Sequence, residues 1–214
     1  MIDYAQTRER MVQEQLVSRG IRDTRVLGVM ARVPRHLFLE SELRDQAYED
    51  HPLPIGANQT ISQPYMVALM AEALELKGTE RVFEVGTGSG YLAAVLSELC
   101  AEVYSVETVE KLASKARNLL TSLGYRNVSV LMGDGTLGWE EHSPYDAVVI
   151  SAAAPCIPRP LLEQLKTAGY LVFPMGEKEL QTLVRIRKDK AGIREEYLGE
   201  CQFVKLKGQY GWED

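Results

Sequence analysis

The chain has 214 residues, 45% of them hydrophobic, enough for one globular domain with an ordinary apolar core and appended elements. Its 24 basic and 30 acidic residues leave a net charge of −6, which argues against nucleic acid or an anionic membrane as the main partner. Three widely spaced cysteines (Cys100, Cys156 and Cys201) form no disulfide framework or zinc spacing, and His36, His51 and His142 never pair at ligand spacing, so a metal-free protein of the reducing cytoplasm is expected.

Met1 to Gln6 carry neither a basic nor a long apolar region, and no apolar run approaches membrane-spanning length, so neither a signal peptide nor a membrane partner is expected. Residues 3–20 read as a helix, with Met11, Val12, Gln15 and Leu16 on one side and Gly20 as the stop. A second helix over 23–32 ends before Pro34, because the residue preceding a proline avoids helical dihedrals. A long irregular stretch runs from 44 to 64. Loops beyond roughly 12–15 residues are usually functional or disordered. This one mixes prolines with apolar residues and reads as ordered and functional. Tyr65 to Leu76 then reads as a buried helix, with Met66, Met70, Ala73 and Leu74 on one face and Tyr65 and Val67 also assigned to the core.

From Arg81 the alternation is regular. Strands are expected at 81–85, 102–106, 127–131, 145–150 and 169–173, and helices at 90–99, 109–123 and 158–166. Strands separated by helices of this length imply right-handed βαβ units and a parallel sheet. Segments 180–187 and 193–206 read as an antiparallel pair joined by the polar turn 188–192. The expected fold class is α/β: a doubly wound, Rossmann-like, mostly parallel sheet of seven strands, ordered 3-2-1-4-5 with the last two at one edge. A single domain over 1–214 is expected, with 1–76 as a helical and loop cover over the carboxyl edge of a core at 78–206.

In such a sheet ligands bind beyond the carboxyl ends of the strands. Val82-Phe83-Glu84-Val85 leads into Gly86-Thr87-Gly88-Ser89-Gly90 and an apolar helix, a unit whose glycines permit positive φ and close backbone approach to a ligand. Glu107 ends the second strand about 20 residues further on, where a carboxylate can accept both ribose hydroxyls. Asp134, between Gly133 and Gly135, can accept from an adenine amino group, and Gly135 leaves room for the ring. Small residues from Ser151 to Pro155 suit one pocket wall. Each piece alone also reads as an ordinary turn or a solvated cap. In chain order, together, they favour a nucleoside cofactor. The G-x-G-x-G spacing, with Glu84 two residues ahead of it, departs from the G-x-G-x-x-G dinucleotide fingerprint.

Glu84 to Gly90, the acid ending the second strand and Asp134-Gly135 resemble the signature of class I methyltransferases over residues 78–175. That resemblance implies S-adenosyl-L-methionine as cofactor, bound by Glu84, Gly86, Thr87, Gly88, Ser89, Gly90, Glu107, Asp134 and Gly135. Further segments narrow it: Val33 to Phe38, Pro52 to Gly56, Gln59 to Pro64, Ala154-Pro155 with Ile157-Pro158, Leu161 to Lys166, and Phe203-Val204. Across nearly the whole chain these resemble the protein-L-isoaspartate (D-aspartate) O-methyltransferase family. The family implies methyl transfer to the free carboxylate of L-isoaspartyl and D-aspartyl residues in damaged proteins and peptides, initiating their repair. Ser62 and Thr60 are then the catalytic positions, and Thr60, Ile61 and Ser62 the substrate contacts. The family also implies a swapped order of the last two strands, and a monomer is expected. Three departures stand out: Ala168 where a second glycine is common, Lys205 where a proline often follows Phe-Val, and Leu39-Glu40 in place of a small apolar residue and proline.

A carboxylate, with a reference pKa near ~4, is already ionised at neutral pH, so this chemistry needs positioning rather than a strong base. Two loop hydroxyls can hold it without cancelling its charge. Ser or Thr ahead of a helix near Pro64 also reads as an N-cap, a role compatible with anion binding. Cys156 reads as a small apolar filler near the pocket wall, and His51 as an exposed side chain. The alternatives are another class I methyltransferase acting on a small molecule or RNA, a non-catalytic S-adenosylmethionine-binding module, and an NAD oxidoreductase. Acidic charge and the lack of a basic, aromatic-rich extension weigh against RNA.

Overall fold

In the computed structural model, which describes residues 2–177 and 179–212, the N-terminal segment builds a helical cover. Asp3 caps α1 (Tyr4–Met11), its carboxylate accepting the Ala5 and Gln6 amides at 3.0 and 3.1 Å. The helix expected over 3–20 changes winding midway: Val12–Val17 is π-helical, and Gly20, at φ 99°, turns the chain. Asp23 caps α2 (Thr24–Arg32) in the same way. Tight 3-10 turns over Arg35–Phe38 and Ser41–Gln46 follow. Arg35 is fully buried, its Nε donating to the Ala47 carbonyl at 2.7 Å.

The stretch expected to be irregular contains a hairpin of β1 (Leu53–Gly56) and β2 (Gln59–Ile61). Its two turn residues, Ala57 and Asn58, have φ of 51° and 57°. Two left-handed residues give the turn whose twist matches a hairpin. Alanine is not a residue that signals that conformation, so the strands were hidden in the sequence. Next, α3 (Pro64–Ala73) begins with proline at its first turn and ends short of Leu76, where Glu75 adopts φ 50°. Its N-cap residue is Gln63, with no side-chain capping bond. The expected capping by Thr60 or Ser62 is therefore absent.

The core strands are β3 (Arg81–Val85), β4 (Glu102–Glu107), β5 (Val128–Met132), β6 (Tyr145–Ile150), β7 (Leu165–Gly176), β8 (Gln181–Asp189) and β9 (Gly192–Cys201). They form one seven-stranded sheet in the order β5-β4-β3-β6-β7-β8-β9, parallel up to β7 and antiparallel beyond it. The order is the one expected, with β8 between β7 and β9. Helices α4 (Tyr91–Ser97), α5 (Glu110–Ser122) and α6 (Arg159–Gln164) make the crossovers. The alternation of a strand explains the layers. Val82 points into the cluster beneath the cover, and Phe83 points into the opposite cluster with Tyr145 and Phe173. Both faces are buried, so β3 and β6 are dominated by apolar residues, interrupted by Glu84 in β3 and Asp146 in β6. Arg25 ties the cover to the core, donating to the Leu76 and Leu99 carbonyls at 2.6 and 2.9 Å.

Two boundaries differ from expectation. α6 ends at Gln164 and β7 begins at once at Leu165, with Ala168 at φ 68° inside it. β9 ends at Cys201 rather than near 206. There Gln181 takes the Phe203 amide on its side-chain oxygen at 2.9 Å, drawing the chain off the sheet edge. Residues 204–206 then run parallel to Ala153, through Ala153 N–H to Val204 O at 2.7 Å and Leu206 N–H to Ala153 O at 2.8 Å. This C-terminal strap crosses the carboxyl edge and docks on Asp134 and Thr136. Among the described residues no helix is long and apolar enough to cross a membrane.

Candidate active site

The carboxyl end of β3 opens into the glycine loop. Gly86, Gly88 and Gly90 sit at φ of 91°, 54° and 87°, conformations that strain any side chain. Gly90 serves as the N-cap residue of α4, and the Ser89 hydroxyl accepts the Tyr91 amide at 3.3 Å. The Glu84 side chain lies fully buried behind this loop. Its Oε2 accepts the Ser105 hydroxyl at 2.5 Å, and Thr87 Oγ1 lies 2.5 Å from the same hydroxyl. Glu84 Oε1 has no partner. Burial raises the Glu84 pKa from 4.5 to about 8, against the Ser105 hydrogen bond and with help from nearby Glu107. At neutral pH this carboxyl group is largely protonated.

Glu107 ends β4 and is 6% exposed. Its Oε2 accepts the Gly88 amide at 2.8 Å and its Oε1 the Val109 amide at 3.0 Å. Oε1 also takes the Thr108 hydroxyl at 3.5 Å, so Oε2 is the oxygen that keeps an acceptor site, since a carboxylate offers about four in all. A ribose hydroxyl can use it. Asp134 is engaged differently: Oδ1 accepts the Thr136 amide and hydroxyl at 2.9 and 2.6 Å, and Oδ2 accepts the strap amide of Gln209 at 2.8 Å. Gly135 packs so closely on β3 that a Cβ there would lie 2.6 Å from Val85 Cγ1.

These residues surround a narrow cleft of about 770 Å³, counted out to solvent. Of the expected cofactor residues, Glu84, Gly86, Thr87, Gly88, Ser89, Glu107 and Gly135 line it, and so do Thr60, Ile61 and Ser62. Gly90 and Asp134 do not; they shape the loop and hold the strap from behind. The strap supplies Val204, Lys205, Leu206 and Lys207 to the wall. Sequence reading placed this segment in a strand and so missed its part in the site.

A second cavity, of about 1130 Å³, adjoins the first beneath β9. Thr60, Ser62, Ser151 and Val204 line both, so they mark the junction. Neither the Thr60 nor the Ser62 hydroxyl has a hydrogen-bond partner among the described residues. Ile61, between them, buries its side chain and is 3% exposed. Two expectations are corrected here. Tyr65 is only half-buried and lines the second cavity, under the Arg19 guanidinium at 3.6 Å. Cys156 is exposed and lines neither space, because the turn after β6 carries it outward. Cys201, which had no assigned role, lines the second cavity.

The donor set fits a nucleoside that carries positive charge. Glu107 offers a carboxylate, and Glu84 Oε1 is a buried acceptor without a donor. Sheet order, glycine loop and the Glu107 carboxylate at the end of β4 fit a class I, S-adenosylmethionine-dependent methyltransferase.

Comparison with known proteins takes the class to a family. The profile of the protein-L-isoaspartate (D-aspartate) O-methyltransferase family (PCMT) matches residues 6–211. The chain is 53% identical over 212 residues to the protein-L-isoaspartate O-methyltransferase of Syntrophus aciditrophicus (strain SB), covering 98% of this chain and 97% of that one. A solved protein-L-isoaspartate O-methyltransferase superposes with a TM-score of 0.86 at 31% identity, over 95% of this chain and 67% of the other. A structure described as the Plasmodium falciparum enzyme of this kind, in complex with S-adenosyl-L-homocysteine, gives a TM-score of 0.79 at 27% identity, over 94% and 98% of the two chains. The chain belongs to the protein-L-isoaspartate (D-aspartate) O-methyltransferase family.

Proposed function

We infer that the chain transfers a methyl group from S-adenosyl-L-methionine to the free carboxylate of L-isoaspartyl and D-aspartyl residues in damaged proteins and peptides, the step that initiates their repair. One observation carries the reading: the free hydroxyls of Thr60 and Ser62 stand where the cofactor cleft meets the second cavity. When bound, the cofactor supplies a methyl group on a positively charged sulfur, already activated for attack. Glu107 holds the ribose, Glu84 Oε1 faces the charged end, and the loop from Gly86 to Gly90 fits the backbone against them. Gly135 gives the adenine a flat wall, and Asp134 keeps the strap beside it.

The acceptor carboxylate arrives ionised, so the chain's task is to orient it. Thr60 and Ser62 donate hydrogen bonds to one of its oxygens and leave the other to attack in line. Hydroxyls do this without neutralising the nucleophile, as a lysine or arginine would. Holding the reacting atoms at about 3–3.5 Å supplies most of the acceleration in such a design. Ile61 contributes its main chain and anchors the hairpin through its buried side chain. The chain acts as a monomeric, cytoplasmic enzyme of one domain, with residues 1–76 carrying the acceptor motif and 78–206 the cofactor core. Its charge of −6 gives no attraction for nucleic acid.

The test uses tritiated cofactor with an isoaspartyl peptide and its normal aspartyl counterpart. Label should enter only the isoaspartyl peptide, as an alkali-labile ester. Equal labelling of both, or labelling of RNA instead, overturns the reading.

A further inference from the structure

Among the described residues two charged side chains line the second cavity, Arg19 and Glu200, and they come from opposite sides, the cover and β9. Arg19 is built into its position. Its guanidinium carbon lies 3.6 Å from the centroid of the Tyr65 ring, and Nη1 donates to Asp50 Oδ2 at 2.8 Å. Asp50 in turn accepts the Gln63 side-chain amide on its main-chain oxygen at 3.0 Å. Arg19, Asp50 and Gln63 therefore form a chain that ends next to Ser62. Arg19 Nε and Nη2 have no partner among the described residues, and the side chain is 43% exposed. A guanidinium held over an aromatic ring with one nitrogen anchored keeps its remaining donors in a fixed fork.

We propose that Arg19 is a specificity-determining residue of the acceptor cavity, recognising an acidic side chain that flanks the methylated residue. The proposal rests on the function inferred above and adds a charge preference to it. Thr60 and Ser62 are neutral, so they cannot distinguish charged neighbours of the acceptor. Arg19 can, because it lines the same cavity as those hydroxyls and keeps donors beyond its bond to Asp50. Tyr65 keeps the guanidinium planar to the wall, and Asp50 stops it from folding back over the acceptor carboxylate itself. Glu200, on the facing wall, disfavours an acid on its own side, so the preference applies to one flank of the peptide.

The experiment measures kcat/KM for isoaspartyl peptides that differ only in one flanking residue, Asp, Ala or Lys, placed on either side. Wild type, Arg19→Gln and Arg19→Lys are compared at low and high salt, well below their melting temperatures. An exposed ion pair is worth little, so wild type should prefer Asp to Ala on one flank by about two- to fivefold, and salt should erode the ratio. Arg19→Gln should bring the ratio to about one, and Arg19→Lys should keep part of it. A purely structural role would lower all peptides together and leave the ratio intact. An unchanged ratio in Arg19→Gln, or no flank preference in wild type, overturns the proposal while the proposed function stands. Failure of wild type to methylate even the Ala-flanked peptide overturns the function, and this proposal with it.

Discussion

Glu84 and Ser105 meet across β3 and β4 through a 2.5 Å hydrogen bond that leaves the second carboxyl oxygen of Glu84 buried without a partner. Burial lifts the pKa from 4.5 to about 8. The unfolded chain loses this proton near 4.5, so between 4.5 and about 8 the folded state holds more protons than the unfolded one. The stability involved is complete below 4.5 and is lost as pH rises through about 8. Glu84→Gln should flatten that part of the stability profile in melting curves. A cation beside Oε1 favours the carboxylate form. Binding of S-adenosylmethionine, a sulfonium cation, at neutral pH should therefore release a proton, seen as a binding heat that changes with the buffer's ionisation enthalpy. Heat independent of buffer would take Glu84 out of contact with the ligand.

Glu107 bridges the Gly88 and Val109 amides, takes the Thr108 hydroxyl on Oε1 and offers the remaining acceptor site of Oε2 to the cleft. Losing a charged hydrogen-bond acceptor costs about 1.5–3 kcal/mol. Glu107→Ala should weaken S-adenosylhomocysteine binding by roughly ten- to a hundredfold, and it should also loosen the glycine loop. Glu107→Gln keeps one acceptor oxygen and should recover part of the affinity. Calorimetry with unchanged affinity in the alanine variant would assign Glu107 to loop structure alone.

What the sequence disclosed depended on how local the cause was. The apolar periodicity of α5 and the mainly apolar runs of β3 and β6 are local, and they gave the parallel core. The glycine loop and Glu107 were legible because a fixed strand–loop–helix geometry sets their spacing. The strap was not. Val204 and Leu206 alternate like a strand, and only Gln181 and Ala153, distant in sequence, draw the chain away from the sheet. The hairpin turn at Ala57 was hidden because alanine adopts a conformation its sequence context does not announce. Arg19 over Tyr65 is a contact between the cover helices and α3 that no motif encodes.

Ala168 carries φ 68° inside β7. A left-handed conformation costs an L-residue roughly 1–2 kcal/mol. Glycine removes that strain but adds freedom to the unfolded chain, worth about 0.4–1 kcal/mol. Ala168→Gly should therefore stabilise the fold by up to about 1 kcal/mol, with no change in cofactor affinity. Denaturant melts showing a loss instead would mean that the Ala168 methyl makes compensating contacts. Gly169, its neighbour, tolerates no such exchange, since a Cβ there would lie 2.6 Å from the Asp146 carbonyl oxygen.

Ser62 separates catalysis from capping. Gln63 is the N-cap residue of α3, and the Ser62 hydroxyl has no partner among the described residues. Ser62→Ala should leave the melting transition within about 0.5 kcal/mol of wild type, as for a substitution that breaks no packing or cap. Its assigned work is to orient the acceptor oxygen, so the loss should fall on kcat and spare cofactor affinity. One preorganised hydrogen bond is worth a few kcal/mol at most, so turnover should drop by about ten- to a thousandfold. Thr60→Ala should behave alike, and the double variant should lose less than the product of the two, because both hydroxyls hold one carboxylate. No methylated enzyme should accumulate in any variant, since neither hydroxyl serves as a nucleophile. Steady-state kinetics on folded Ser62→Ala decide the matter: full activity would leave the acceptor contact to Thr60 or Ser151, the other hydroxyls at the junction of the two cavities.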